Sequence, residues 1–287
     1  MINAMNASTM IESTLPISNG GSLHVRDFQP TKPGRSGVMI MHGLGEHSGR
    51  YLHVAEFFCK LGYAVRIYDQ RGHGLSSGSR GDIPELDTFI HDAALVMEDW
   101  INTGLSLTEK PLLLGHSMGG LFAAHFAVTK RMPISGLILS SPALALPLTG
   151  SQKVLLKTLS AIAPGLRVPN GLKRHYLSHD RKVEEAYSED KLVHNKITSR
   201  LLNNMLSSIE VVQRDADQID IPVLLVFAGQ DHLVDARGSD EFFSHLTDKI
   251  GTKHRYAQLY HEIFNELPAD ADAVFADVKH WLMHSLT

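Results

Sequence analysis

The chain has 287 residues, a length that permits one large α/β domain or two small ones around a substantial core. Its net charge of −4 gives no reason to expect a nucleic-acid partner, and its 43% hydrophobic and 20% charged content is typical of a globular protein. A single cysteine, Cys59, excludes an internal disulfide framework. Despite the 17 histidines we expect no metal site, because no His-x-x-x-His pair has a supporting acidic ligand.

Residues 1–20 are predicted to be a loose N-terminal leader. They contain neither Lys nor Arg and no long apolar run, so they lack the pattern of a secretory signal peptide. No other apolar stretch reaches the length of a membrane span. We therefore expect a soluble, cytoplasmic protein.

Strand and helix patterns alternate after the leader, which predicts an α/β domain. The predicted strands are Ser22–Phe28, Val38–Met41, Tyr63–Tyr68, Pro111–Leu114 and Gly136–Leu139. The predicted helices between them are Tyr51–Leu61, Pro84–Thr103 and Ser117–Lys130.

A Gly-x-Ser-x-Gly motif lies where the fourth of these strands meets an Ala-rich helix. In this context the motif indicates a nucleophile elbow, a sharp turn that pushes one serine out of the sheet. Gly115 and Gly119 flank that residue because a Cβ at either position would collide with neighbouring backbone. Ser117 is therefore the predicted nucleophile, at a helix N-terminus that favours a developing anion.

The glycine-rich loop His42–Tyr51 follows an earlier strand and precedes the nucleophile in the chain. Because this architecture draws an oxyanion-hole amide from such a loop, we assign one donor to the backbone N–H of Leu44 and the other to that of Met118. The alternative is a plain strand-to-helix turn. The next glycine-rich loop is predicted to be structural, held by an ion pair between Asp69 and Arg71.

The strand pattern stops for about 70 residues in the second half of the chain. Only helix-like pieces separated by prolines occur there, and a connection of this length exceeds an ordinary loop. We therefore predict a helical cap, or lid, of residues 146–219 inserted into a core of residues 21–145 and 220–287.

The most apolar part of the predicted cap contains Leu155, Leu159 and Ile162, which we assign to substrate binding. A cap helix of this kind suits a lipid-chain tunnel or a surface that makes transient contact with a membrane. The alternative, that these residues only pack the cap onto the core, stays open.

Two strands are predicted near the end of the chain, Pro222–Ala228 and Arg255–Tyr260. Asp231 comes shortly after the first and His261 directly after the second. With Ser117 they give the Ser…Asp…His order of α/β-hydrolases, in which the histidine takes the serine proton and the acid fixes its tautomer.

Other residues could be considered for these two roles. Asp235 is the alternative acid, but it lies farther from the strand end. His42 and His73 precede the required position of the base, and His116 should point away from the site if Ser117 points into it.

Several motifs carry a family resemblance that runs from about residue 22 to the C-terminus. They are His42–Tyr51, Asp69–Gly74, Gly115–Gly120, Ser140–Ala143 and Tyr260–Glu262. The chain resembles serine α/β-hydrolases of the monoacylglycerol lipase and lysophospholipase group, classed by sequence as serine aminopeptidase S33-like. The resemblance implies a mostly parallel sheet with helices on both faces, a helical cap after the sixth strand, a monoacyl-lipid pocket and no cofactor. Lys191 stands where the family commonly has proline.

We accordingly expect a monoacylglycerol lipase that releases fatty acid through an acyl-enzyme on Ser117. A lysophospholipase and a broad small-ester carboxylesterase are the alternatives, and a non-catalytic binding protein on a hydrolase scaffold is a more distant one. The expected partner is a small monoacyl lipid or ester, with membrane contact through the cap and no nucleic acid.

Overall fold

Eleven strands and eight α-helices form in the ranges that the computed structural model describes, which are residues 2–5, 8–18, 20–32, 34, 36–103, 110–247 and 250–286. The strands are β1 (Ile2–Met5), β2 (Ser8–Pro16), β3 (Ser22–Pro30), β4 (Gly37–Met41), β5 (Ala64–Tyr68), β6 (Leu112–His116), β7 (Gly136–Ser140), β8 (Arg167–Pro169), β9 (Lys196–Thr198), β10 (Val223–Ala228) and β11 (Gly251–Tyr256). The helices are α1 (Leu52–Lys60), α2 (Thr88–Asn102), α3 (Met118–Val128), α4 (Gly150–Ile162), α5 (Arg181–Glu189), α6 (Ser199–Arg214), α7 (Ala236–His245) and α8 (Pro268–His284).

Nine of the described strands form one sheet, in the order β1-β2-β3-β5-β4-β6-β7-β10-β11. The first three join it in antiparallel pairs, whereas every pair from β5 to β11 is parallel. Strands β4, β5, β6, β7 and β10 are buried along their whole length. Strands so apolar need cover on both faces of the sheet.

Helices provide that cover on each side. On one face Ile40 of β4 belongs to an apolar cluster with Phe58 of α1 and Trp281 of α8. On the other face the adjacent Met39 shares a cluster with residues of α2 and α3, among them Trp100. The predicted α/β architecture is confirmed. No helix within the described ranges is long and apolar enough to cross a membrane.

The N-terminal segment is not a loose leader, and that prediction is wrong for most of its length. Strand β2 pairs with β3 over nine residues, from Ser8 opposite Pro30 to Pro16 opposite Ser22. Its side chains are half exposed and many are Ser or Thr, so the apolar signal of a buried strand is missing. The side chain of Glu12 accepts a hydrogen bond from Arg26 at 2.9 Å, which adds to the pairing.

The long segment between β7 and β10, where the cap is predicted, holds α4, α5 and α6. It follows the sixth strand of the sheet when the short β1 is left out of the count. The expectation of no strands there is wrong, because β8 and β9 pair as a small antiparallel ribbon. The three-residue strands are too short to show a strand period. Leu201 and Met205 of α6 join the core cluster beside α3, so the apolar interior continues from the sheet into this segment.

The last strand lies four residues earlier than predicted. β11 ends at Tyr256, so His261 follows it after a short loop and not directly. The strand is at the sheet edge and carries exposed charges such as Lys253 and Arg255, which hide it from an apolar pattern. Leu259, part of the predicted strand, is instead a buried loop residue whose N–H donates to the carbonyl of Tyr256 at 3.2 Å.

Candidate active site

Ser117 occupies the sharp turn between β6 and α3. Its φ of 54° and ψ of −120° are values that a non-glycine residue adopts only under constraint. The Ser117 N–H donates to the carbonyl of Ser140 at 3.0 Å. A Cβ added at Gly119 would strike the carbonyl of Met41, and one at Gly115 would strike that of Gly119. The two glycines are thus required by close packing of backbone around the half-buried serine.

His261 and Asp231 form a buried pair at the same edge of the sheet. The imidazole Nδ1 donates to Asp231 Oδ2 at 2.6 Å, and the two side chains are 4% and 2% exposed. The other carboxylate oxygen of Asp231 accepts from the N–H groups of Leu233 (2.8 Å) and Val234 (3.0 Å). These donors leave the carboxylate fixed in direction, as the orienting acid of a triad must be.

Each member of this pair stabilises the charged form of the other. Burial disfavours ionisation of Asp231, but the attraction of His261 and the hydrogen bonds outweigh it and hold the pKa of the carboxyl below its usual value. Burial also disfavours the cationic imidazole, but the Asp231 charge overrides it and raises the pKa of His261. An imidazole with a raised pKa is better able to accept a proton from a nearby hydroxyl.

The surroundings of Asp231 and His261 differ from those of the alternative acid and of His116. Ser117 and His261 line the same small cavity. Asp235 instead caps α7, accepting from the N–H of Arg237 at 3.0 Å and pairing with its guanidinium. The expectation for His116 is wrong, because its ring lies 4.8 Å from that of His261 and lines the same cavity. Burial lowers the pKa of His116 to about 4, so it stays neutral there.

The loop from His42 to Tyr51 lies against the elbow. Leu44 and Met118 both line a cavity together with Ser117. Met118 is the first residue of α3, so its N–H is one of the first-turn amides without an intrahelical acceptor. Neither this N–H nor that of Leu44 has an acceptor among the described residues. Both amides are therefore available to a substrate oxygen beside the nucleophile.

An ionic network beneath the site was not predicted. The guanidinium of Arg50 binds Glu46 at 2.6 Å and both carboxylate oxygens of Glu262 at 2.6 and 2.7 Å, all nearly buried. Glu46 also accepts from the hydroxyl of Tyr51 at 2.6 Å, and the Arg50 guanidinium lies 4.8 Å from the centre of the Tyr187 ring. The loop motif signals Glu46 and Arg50, but nothing local links them to a carboxylate 212 residues away.

The predicted ion pair between Asp69 and Arg71 does not form. Arg71 pairs with Asp92 of α2 at 2.6 Å. Asp69, fully buried, accepts from the N–H groups of Ser48 and Leu75, both at 2.7 Å. It therefore joins the two glycine-rich loops, a structural role as expected but with different partners.

A cavity of about 410 Å³ opens from Ser117 into the space between the core and the inserted segment. Most of its walls are apolar, and they include Leu146, Pro147, Leu148, Ile197, Leu202 and Met205. Asn170, Lys173 and His232 are among its few polar lining residues. A volume of this size is in the range of small-ligand sites.

The assignment of Leu159 and Ile162 to the substrate cavity is wrong. Ile162 is 75% exposed, and neither it nor Leu159 lines the cavity. The side chain of Leu155 lies outside the described part of the structure. In α4 Gln152 reaches the cavity wall, so the first turn of this helix, and not its apolar C-terminal half, borders the space beside Ser117.

A serine, an aspartate and a histidine follow three strands of this sheet in that chain order. This arrangement is characteristic of a serine ester hydrolase of the α/β-hydrolase class. The family profile described as "Serine aminopeptidase, S33" matches residues 32–268, and the chain belongs to that family.

Relatives of known sequence and structure agree with this assignment. The chain is 32% identical over 292 residues to a monoacylglycerol lipase of Mycolicibacterium smegmatis, covering 98% of this chain and all of that protein. It is 34% identical over 233 residues to the phospholipase YtpA of Bacillus subtilis, covering 80% and 88%. It is also 34% identical to an abhydrolase domain-containing protein of Dictyostelium discoideum, of whose length it spans 28%. The crystal structure of a monoacylglycerol lipase from Paleococcus ferrophilus superposes with a TM-score of 0.83 at 34% identity, over 92% of this chain and 99% of that one.

Proposed function

We propose that the protein hydrolyses monoacyl lipid esters, with a monoacylglycerol as the preferred substrate. The observation that carries this is the apolar cavity of about 410 Å³ that begins at Ser117, because it offers one acyl chain a place next to the nucleophile. Two relatives named as monoacylglycerol lipases support the same substrate. The phospholipase relative supports a lysophospholipase only weakly, because it matches a smaller part of the chain.

In the proposed reaction Ser117 attacks the ester carbonyl while His261 takes its proton. The N–H groups of Leu44 and Met118 stabilise the tetrahedral oxyanion, at typically a few kcal/mol for each donor. His261 then protonates the leaving alcohol, and the acyl group remains on Ser117. A water molecule, activated by the same imidazole, releases the fatty acid, while Asp231 keeps the imidazole oriented throughout.

The small cavity beside His261 suits one hydroxyl oxygen of the leaving alcohol and then the water that replaces it. It has a volume of about 20 Å³, which is room for a single hydroxyl or water oxygen. Its walls include Glu46, His116 and Glu262, all nearly buried. The carboxylate and imidazole groups on this side could bind the alcohol, and the larger cavity could hold the acyl chain, so an amphiphilic ester would be oriented across Ser117.

Chain-length preference tests this proposal. Each methylene buried in the cavity should add roughly 0.8 kcal/mol, or about fourfold in kcat/KM, from acetyl to medium-chain p-nitrophenyl esters. Leu202→Trp should fill the cavity and flatten this gradient, whereas Ile162→Trp, on the exposed surface, should leave it intact. Steady-state kinetics on esters of graded length provide the measurement. A flat wild-type gradient would mean a small-ester esterase.

We also propose that the inserted segment contacts a lipid surface, through exposed aliphatic residues at the end of α4 and just after it. Ile162 is 75% exposed and Leu166 is 51% exposed. Residues 146–182 carry seven Lys or Arg and one acid, Asp180, in a chain whose net charge is −4. A basic segment with exposed aliphatic side chains suits an anionic membrane.

Vesicle sedimentation tests the membrane contact. Replacing both Ile162 and Leu166 with Asp should weaken binding to vesicles containing anionic phosphatidylglycerol about tenfold, since two aliphatic contacts are lost and two negative charges added. Hydrolysis of a dissolved acetate ester should not change. Leu86→Asp, which alters a leucine that is 57% exposed on the core, is the matched control. Equal binding by all three proteins would contradict the proposal.

A further inference from the structure

The inserted segment forms a main-chain hydrogen bond to the loop that contains the Leu44 amide. The N–H of His194 donates to the carbonyl of Gly45 at 2.8 Å. Gly45 has a φ of +81°, and a Cβ built there would strike the carbonyl oxygen of His194. This hydrogen bond joins the inserted segment to the residue next to Leu44, across a contact with no space for a side chain.

Three hydrogen bonds hold the main chain on the two sides of Leu44, at Gly43 and at Gly45. The N–H of Gly43 donates to Glu46 Oε1 at 2.5 Å, and the carbonyl of Gly43 accepts from His42 Nδ1 at 2.8 Å. Both of these bonds lie within the loop itself. The third, on the other side of Leu44, is the one from His194. The direction of the Leu44 N–H therefore depends on the inserted segment on one side and on the loop on the other.

His194 is itself firmly placed. Its Nε2 donates to the carbonyl of Gly72 at 3.2 Å, and its Nδ1 accepts from the N–H of Lys196 at 3.2 Å. Burial lowers the pKa of His194 to about 4, so this neutral tautomer persists in neutral solution. A second contact close by has the same effect, because His47 and Asp190 bond at 2.8 Å. The segment from 190 to 196 is thus anchored to the core at several points.

We infer that the main chain of His194 is a positioning element for the oxyanion hole, acting through Gly45 on the Leu44 amide. This inference rests on the proposed function and extends it: the inserted segment serves every ester, including those whose acyl group is too short to reach the cavity. A segment that only covered the acyl chain would affect long esters and spare acetate.

Proline substitution removes the donor. His194→Pro deletes the N–H that binds Gly45, and His194→Ala removes the imidazole but keeps that N–H. Val193→Pro is the matched control, because it deletes an N–H that binds Asp190 at 3.2 Å within the inserted segment. The readouts are kcat and KM for p-nitrophenyl acetate and decanoate, and the affinity for a trifluoromethyl ketone, which forms an oxyanion on Ser117.

Relative to His194→Ala, we expect His194→Pro to lower kcat about tenfold on both esters, less than the 10²–10³ that outright loss of an oxyanion donor costs. KM should stay the same, and ketone affinity should fall by the same factor as kcat/KM. Val193→Pro should not reproduce this pattern. An equal loss in both proline variants, or a loss confined to decanoate, would overturn the inference.

Two further measurements distinguish a loss of the hydrogen bond from misfolding and from failure of the proposed function. If His194→Pro does not fold, as judged by its thermal melting, an amide-to-ester replacement of the peptide bond between Val193 and His194 removes the same N–H without the ring. Unchanged kcat in that protein would overturn the inference. Failure of the proposed function would show differently, as a wild-type protein with a flat chain-length gradient or without esterase activity.

Discussion

Ser117→Ala is expected to lower kcat by on the order of 10⁴ to 10⁶ while the protein stays folded. The nucleophile is then absent, and only the oxyanion amides and the binding cavity remain. His261→Ala should cost a similar factor, because the serine hydroxyl loses its base. The double variant should be hardly worse than either one, since the two groups act in the same step.

Esterase rates and labelling by a fluorophosphonate probe provide the measurement, with thermal melting as the control for folding. Ser141→Ala is a matched control, because Ser141 is a buried serine near the elbow that also has a positive φ, of 39°, but does not line either cavity at Ser117. If the losses of Ser117→Ala and His261→Ala multiplied in the double variant, at least one of the two roles would be misassigned.

Asp231→Asn should lower kcat by on the order of 10⁴, because an amide no longer holds the imidazole in the tautomer that accepts the serine proton. A second effect follows from charge. Asp231 raises the pKa of His261, and activity is lost as the pH falls through that pKa and the base becomes protonated. Without the carboxylate this pKa drops, so the acid limb of the rate profile should move to lower pH.

The profile of kcat/KM against pH, recorded for the wild type and for Asp231→Asn, measures both effects. Asp235→Asn is the control, since that carboxylate bonds Arg237 and the start of α7 and should change neither the rate nor the limb. A larger loss in Asp235→Asn would reverse the assignment of the acid.

Much of the fold could be predicted because its central strands are continuous apolar runs. β4, β6 and β10 are buried on both faces, so their sequences permit few residues other than aliphatic ones. The apolar pattern misses β2 and misplaces β11 because both strands have partly exposed side chains, and such strands tolerate Ser, Thr and Lys. The apolar sequence pattern that predicts a strand is therefore weaker near the sides of this sheet than at its centre.

Some residues of the candidate site could likewise be predicted from the sequence, and others could not. Ser117 is identified by the motif around it, and Asp231 and His261 by chain order, and their catalytic roles stay predictions that the variants above test. The bond between Arg50 and Glu262 joins opposite ends of the chain, so no spacing rule reveals it. The assignment of Ile162 to the cavity failed because an apolar helix face shows only that something apolar meets it, not whether that is lipid, solvent or protein.

Strand β2 has a practical consequence for anyone shortening this protein. Residues 1–20 resemble a dispensable tail in sequence, yet β2 covers the outer backbone groups of β3. A protein beginning at Gly21 would present β3 as a free edge, next to buried side chains such as Leu23 and Phe28. Unpaired strands of this kind recruit other chains into intermolecular sheets. Such a shortened protein would self-associate and precipitate in expression, although every catalytic group was still present.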